Sequence, residues 1–237
     1  MLTVISIVWK VAAVLMVILA GYFYVSTLNT SVETDIAQTE TIVLPDNSEV
    51  TLNASSTISY NKNDWEDERR LTLKGEAYFK VIKGNKFSVE TSEGTVQVLG
   101  TQFNVYVRNG VFAVTCFEGL VSVAFNDTIL KLPAGEKIQI ENGKLTATEA
   151  LENPSPSWLT DESSFENAPL LRVVEALERQ YPITISLRNV DSAKHFTGSF
   201  THKNLELALK AICEPLQLHY KINENGTVYL INAENSK

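Results

Sequence analysis

Three groups of side chains in this sequence are of types that carry out chemistry. The first is the run "NDWEDERR", in which Asp64, Glu66, Asp67, Glu68, Arg69 and Arg70 surround Trp65. A carboxylate pair can cleave a glycosidic bond, but only across a cleft and at a defined separation. Contiguous charges of both signs read instead as a loop between strands, with Trp65 as its cap on a β core. The second group is His195, His202 and His219, the only histidines. No carboxylate or cysteine stands beside them at metal-ligand spacing, so surface or polar-rim positions are expected. The third is Cys116 and Cys213, far apart in sequence. One falls in an alternating apolar strand pattern and the other in an apolar helix pattern. Free cysteine packs as a small hydrophobe, so two buried thiols are expected, with neither a disulfide framework nor a metal site. The sequence has no glycine-rich phosphate loop, nucleophile elbow or Cys–His pair. The expectation is a protein that is not an enzyme, with no catalytic residues, no metal and no cofactor. A β-solenoid polysaccharide lyase would need carboxylates or basic residues clustered on one strand face, and that pattern is missing.

The composition frames the elements that hold these groups. The 237 residues are 44% hydrophobic and 20% charged, which suits one large or two small folded domains. A net charge of −8 argues against nucleic acid, whose phosphates need a clustered basic surface. Residues 1–10 read as a short cytoplasmic stub and 11–28 as a transmembrane helix, near the lower limit of about 18 residues for a bilayer core. Trp9 on one side and Tyr22, Phe23 and Tyr24 on the other suit interfacial belts, and Lys10 can snorkel. The rival reading is a cleaved secretory signal, but its cleavage site would want small residues where the aromatics stand. Acidic residues follow the segment and Lys10 precedes it. The positive-inside bias therefore predicts a single-pass inner-membrane protein with a cytoplasmic N-terminus and a periplasmic bulk.

Residues 33–149 alternate apolar and polar at period two, with turn signals every 8–12 residues. Asn109-Gly110 and Asn142-Gly143 supply the positive φ angles of tight hairpin turns, and Glu118-Gly119 marks another turn. An all-β sandwich, roll or solenoid is expected here. The stretch "ALENPSPSW" begins a linker, placed at 150–162. Residues 163–233 then change period. Leu170, Val173, Val174, Leu177 and Tyr181 share a helix face that starts near Asn167 and Pro169 and ends at Pro182. Leu205, Ala208, Leu209 and Ile212 form a second stripe. Short strands and a hairpin through Asn225-Gly226 give an order of roughly αββαββ, with an extra strand possible at Phe165. The expected fold class is thus a single transmembrane helix, an all-β domain and a small α+β domain.

The blocks "LPDNSEVTLNASSTISY", "LTLKGEAYFKV", "FSVETSEGTVQVLGTQFNVYV", "VTCFEGLVSV" and "LPAGEKIQI" resemble, in order, the periplasmic domain of the FecR family. These are single-span regulators paired with extracytoplasmic-function sigma factors. "FENAPLLRVVEALERQYPITI", "FTGSF", "NLELALKAI" and "VYLI" resemble the C-terminal module of FecR-type proteins from the Bacteroides group. That module is similar to the short N-terminal domain of secretins and TonB-dependent receptors. The resemblance implies an anti-sigma-factor type of regulator, not an enzyme, that meets the signalling domain of a TonB-dependent outer-membrane receptor. The strand Thr227, Val228, Tyr229, Leu230 and Ile231 is the expected docking edge, by strand addition. Family members carry a cytoplasmic sigma-binding domain, and residues 1–9 offer far less than the roughly 800 Å² per partner such a complex buries. The expectation is therefore a truncated or split member, or else a natural short form, that reaches the sigma factor only indirectly or through a separate domain. The competing class is a periplasmic binding or scaffold module that touches cell-wall glycan or a secretin-like assembly.

Overall fold

The computed structural model describes residues 9–10, 12–21, 29–150 and 154–232. It is mostly β, with three helices among the described residues. The first, α1, covers residues 12–21, and residues 9 and 10 are also helical. Among the described residues no helix is long and apolar enough to cross a membrane. This overturns the expected transmembrane helix over 11–28, and with it the single-pass inner-membrane placement. Hydropathy reads the length of an apolar run, whereas crossing depends on the length of helix it forms. Trp9 and Lys10 are exposed on helical backbone, while Tyr22, Phe23 and Tyr24 lie outside the described residues.

Thirteen strands follow. They are β1 (Asn29–Thr34), β2 (Glu40–Val43), β3 (Glu49–Leu52), β4 (Ser56–Asn61), β5 (Arg69–Lys80), β6 (Phe87–Glu90), β7 (Thr95–Val98), β8 (Gln102–Arg108), β9 (Val111–Glu118), β10 (Leu120–Phe125), β11 (Thr128–Pro133), β12 (Glu136–Glu141) and β13 (Lys144–Ala150). They make two faces that share β5. The N-terminal half of β5 pairs with β4 and β6, on the side that carries β1, β7, β10 and β11. Its C-terminal half pairs with β3 and β8, on the side that carries β2, β9, β12 and β13. Gly75 sits at the changeover with φ +99°, and a Cβ there would meet Ser56 Oγ at 2.6 Å and its Cα at 2.8 Å. Only glycine lets the strand turn that corner so close to its neighbour. Leu71, Leu73, Ala77 and Phe79 alternate inward along β5, and Phe79 stacks on Phe103 at 4.8 Å inside the core between the faces. Both Asn109-Gly110 and Asn142-Gly143 take positive φ, as two-residue hairpin turns require.

The second unit starts with a 3₁₀ turn (Ser157–Thr160). It continues through β14 (Glu162–Pro169), α2 (Leu170–Gln180), β15 (Thr184–Arg188), β16 (His195–Thr201), α3 (Leu205–Cys213), β17 (Leu218–Ile222) and β18 (Thr227–Asn232). β14 pairs antiparallel with β16, and β15, β18 and β17 form a second sheet. Leu170, Val173, Val174 and Leu177 of α2 and Ala208, Leu209 and Ile212 of α3 share one core with Phe196, Phe200, Val228 and Leu230. The Asn204 side chain caps α3 by accepting from Leu207 N.

Candidate functional site

The two units meet where the outer face of β5 and β8 receives the 3₁₀ turn and the C-terminal end of α2. Strand periodicity decides which side chains arrive there. In β8, Phe103, Val105 and Val107 point into the core, so Asn104, Tyr106 and Arg108 point out. In β5 the same rule turns Glu76 outward between Gly75 and Ala77. Asn53 follows the end of β3.

These polar residues form one chain of hydrogen bonds across the seam. Gln180 Nε2 of α2 donates to Asn53 Oδ1 at 3.1 Å. Asn53 Nδ2 donates to Glu76 Oε2 at 2.8 Å, and Asn104 Nδ2 donates to Glu76 Oε1 at 2.9 Å. Trp158 Nε1 of the 3₁₀ turn donates to Asn104 Oδ1 at 3.3 Å. Gln180, Asn53, Asn104 and Trp158 are all 6–7% exposed, so a broken link would leave a buried polar group unmatched. Two further ties flank the chain. Ala37 N donates to Arg179 O at 2.9 Å, and Arg172 pairs with Glu141.

Arg108 braces the same region. Its Nη1 donates to Ser55 O at 2.8 Å, and its Nη2 donates to Ala54 O at 2.7 Å and Ser56 Oγ at 2.9 Å. Burial, and then the nearby Arg179 charge, push its guanidinium down to about 10, while Glu76 and Glu175 pull the other way. It remains cationic at neutral pH and is held by two backbone carbonyls and one hydroxyl. Nothing here resembles a nucleophile with its base. The seam can align two bodies and transmit a change in one to the other.

The sequence-derived candidates lie elsewhere. Thr227–Ile231 is not an edge. β18 is the middle strand of its sheet, parallel to β15 on one side and antiparallel to β17 on the other. Its backbone is spent on both sides, because β15 lies parallel beside it after a connection through β16, α3 and β17, a long-range pairing that local hairpin signals do not reveal. The acidic run forms a loop in which Trp65, 2% exposed, packs edge-on against Tyr60 and Phe87 at 5.3 and 5.8 Å. Its charges pair locally: Arg69 with Asp46 at 2.8 Å, and Arg70 with Glu68 and Glu90. Among the described residues no group of His, Cys, Asp and Glu is placed to hold a metal ion. His195 and His219 are exposed, and His202 Nε2 lies 2.9 Å from Ser163 Oγ. Both cysteines are free and buried.

Sequence reasoning missed Asn53, Glu76, Asn104, Arg108, Trp158 and Gln180. A signal was available. Glu76 stands inside "GEAYF" and Asn104 inside "LGTQFNV", parts of two of the blocks that carry the family resemblance, at positions that neither the apolar face nor a turn requires.

Comparisons with known proteins fall on the same two units. The family model described as FecR protein matches residues 30–122, and the one described as FecR, C-terminal matches residues 162–230. The two occur in that order and together span more than half of the chain. Two crystal structures of candidate anti-sigma factors from Parabacteroides distasonis ATCC 8503, at 2.50 and 1.65 Å resolution, superpose with TM-scores of 0.80 and 0.79. Each is 29% identical in sequence, and each match covers 86% of this chain and 99% of the other. No curated protein matches the sequence.

Proposed function

Because this chain belongs to the FecR family, we propose that it is an anti-sigma-factor type of regulator in which the α+β unit receives a partner and the β unit carries the consequence onward. The partner in this reading is the signalling domain of a TonB-dependent outer-membrane receptor. The output is an extracytoplasmic-function sigma factor, reached indirectly or through a separate domain. The observation that carries the reading is the pairing of both family domains, in order, across one buried hydrogen-bonded seam. A rigid seam converts a push on α2 into a displacement at β3, β5 and β8, which is what a relay needs and what two freely jointed modules would lack.

The test is a transcriptional reporter for an operon that encodes a TonB-dependent receptor and is driven by the sigma factor, read in wild-type and deletion strains. The expected result is that deletion uncouples reporter output from receptor induction, and that restoring the full chain restores the coupling. Gel filtration of the full chain with the receptor's isolated signalling domain should show a 1:1 complex. Unchanged induction in the deletion strain, together with no complex, would sink the proposal.

A further inference from the structure

We propose that the free edge of β17, Leu218–Ile222, accepts an extended acidic segment of a partner protein as an added antiparallel strand. The three-stranded sheet has two outer edges, and they are treated differently. On β15 the outward amide of Ile185 is already taken, because it donates to Glu178 Oε1 of α2 at 2.6 Å. That carboxylate stands where a new strand's carbonyl would have to be.

On β17 no described strand covers the outer side. The hairpin register fixes which groups point that way. Asn223 N donates to Thr227 O at 2.9 Å, so Asn223 and Thr227 form a hydrogen-bonded pair. Such pairs recur every second residue in antiparallel strands. Lys221 with Tyr229 and His219 with Ile231 are therefore bonded within the hairpin. Leu218, Tyr220 and Ile222 then turn their amides and carbonyls away from β18. A groove of about 560 Å³ lies between the first part of this edge, Leu218–Tyr220, and the end of α3, lined also by Lys210, Cys213, Glu214 and Gln217. It leaves room for the side chains of one face of an incoming strand.

The charge beside this edge selects the occupant. In a chain of net charge −8, the solvent side of the strand carries His219 and Lys221, both exposed, and Lys210 lines the groove. Glu214 and Glu224 lie at the groove wall and in the turn, but β17 itself has no carboxylate. A partner strand that alternates apolar residues with Asp or Glu would set apolar side chains beside Leu218, Tyr220 and Ile222 and carboxylates beside His219 and Lys221. A second copy of this chain would bring its own Lys221 diagonal to the first and no carboxylate to meet either. The inference rests on the α+β unit being the docking end, and it adds where and by what chemistry docking occurs.

The probe is a fluorescein-labelled peptide, acetyl-TVEVEVT-amide, titrated into the full chain and read by anisotropy. Saturable binding is expected, about tenfold or more tighter than for the matching TVKVKVT peptide, with that order reversed by Lys221→Glu. Methylating the peptide's valine amides should abolish binding, and hydrogen exchange at Tyr220 and Ile222 should slow when the acidic peptide is present. No binding would overturn the proposal, as would binding indifferent to amide methylation or to Lys221→Glu. A dimer of the full chain that Lys221→Glu dissolves would also overturn it, by giving the edge to a second copy. A receptor signalling domain that still binds the Lys221→Glu chain would reject this edge while leaving the wider docking reading intact.

Discussion

Glu76 holds two amide side chains at once, and those amides hold the ends of two other elements. Replacing it with alanine strands Asn53 Nδ2 and Asn104 Nδ2, which are buried beside the seam. Glu76→Ala should therefore lower stability by about 3 kcal/mol in urea unfolding, since each unmatched buried donor costs roughly 1–3 kcal/mol. A loss below about 0.5 kcal/mol would mean water replaces the carboxylate without cost. The two thiols give a cleaner residue-scale readout. Burial pushes Cys116 up to about 11, against backbone bonds that pull it down, and burial followed by Glu214 pushes Cys213 up to about 12. Both thiols stay protonated in the folded chain, so their stability contribution is complete below pH 9 and is lost as pH rises through the folded values. A disulfide reagent at pH 8 should react with neither thiol in the native protein and with both in urea. His202 works in the opposite direction. Burial lowers its pKa from 6.5, against the raising effect of Asp161 and Glu162. The unfolded chain binds a proton first, so stability is complete above pH 6.5 and declines as pH falls below it. Melting temperatures of wild type and His202→Gln should converge or cross on acidification, whereas parallel pH profiles would count against this account.

At the scale of elements, β5 is the strand on which the β unit depends, because each half belongs to a different face. Gly75→Val places a branched side chain at φ +99° and within 2.6–2.8 Å of Ser56. The expected loss is about 3 kcal/mol or more, seen as a lower urea midpoint with an unchanged slope. A near-neutral result would show that β4 can move aside. Much of this level was legible beforehand. Alternation marked residues 33–149 as β structure, and the Asn-Gly pairs at 109–110 and 142–143 marked two hairpins. Leu170, Val173, Val174 and Leu177 marked the buried face of α2. The extra strand at Phe165 is β14, but local pattern missed its extent: it runs from Glu162 through Pro169, over Asn167 and Pro169, which read as helix-start signals. Its strand conformation depends on pairing with β16 some thirty residues later, with a bulge between Phe165 and Ala168.

For the whole molecule, the seam predicts shared cooperativity. Gln180 and Trp158 come from the α+β unit and the turn before it, and their acceptors are Asn53, just after β3, and Asn104 of β8. A double variant, Gln180→Ala with Trp158→Phe, removes both links without opening either core. Wild type should melt in one calorimetric transition and the double variant in two, with the Asn53 and Asn104 amides exchanging faster. If both proteins melt in a single transition at the same temperature, packing and the flanking Ala37–Arg179 and Arg172–Glu141 ties couple the units, and the hydrogen-bonded chain is not what transmits between them. The same variant carried into the transcriptional reporter should blunt induction by the receptor while leaving partner binding in place. That combination would separate transmission from docking.

The sequence by itself determined the two-unit order, the β character of the first unit, the inward faces of the strands and helices, and the family. All of these follow from periodicities of two and 3.6 residues and from turn residues that act over a few positions. Tertiary structure alone decided that β18 is interior and β17 an edge, and that Asn53, Glu76, Asn104, Trp158 and Gln180 meet. Those outcomes depend on contacts between residues as far apart as Asn53 and Gln180, and only the closed fold brings such residues within hydrogen-bonding distance.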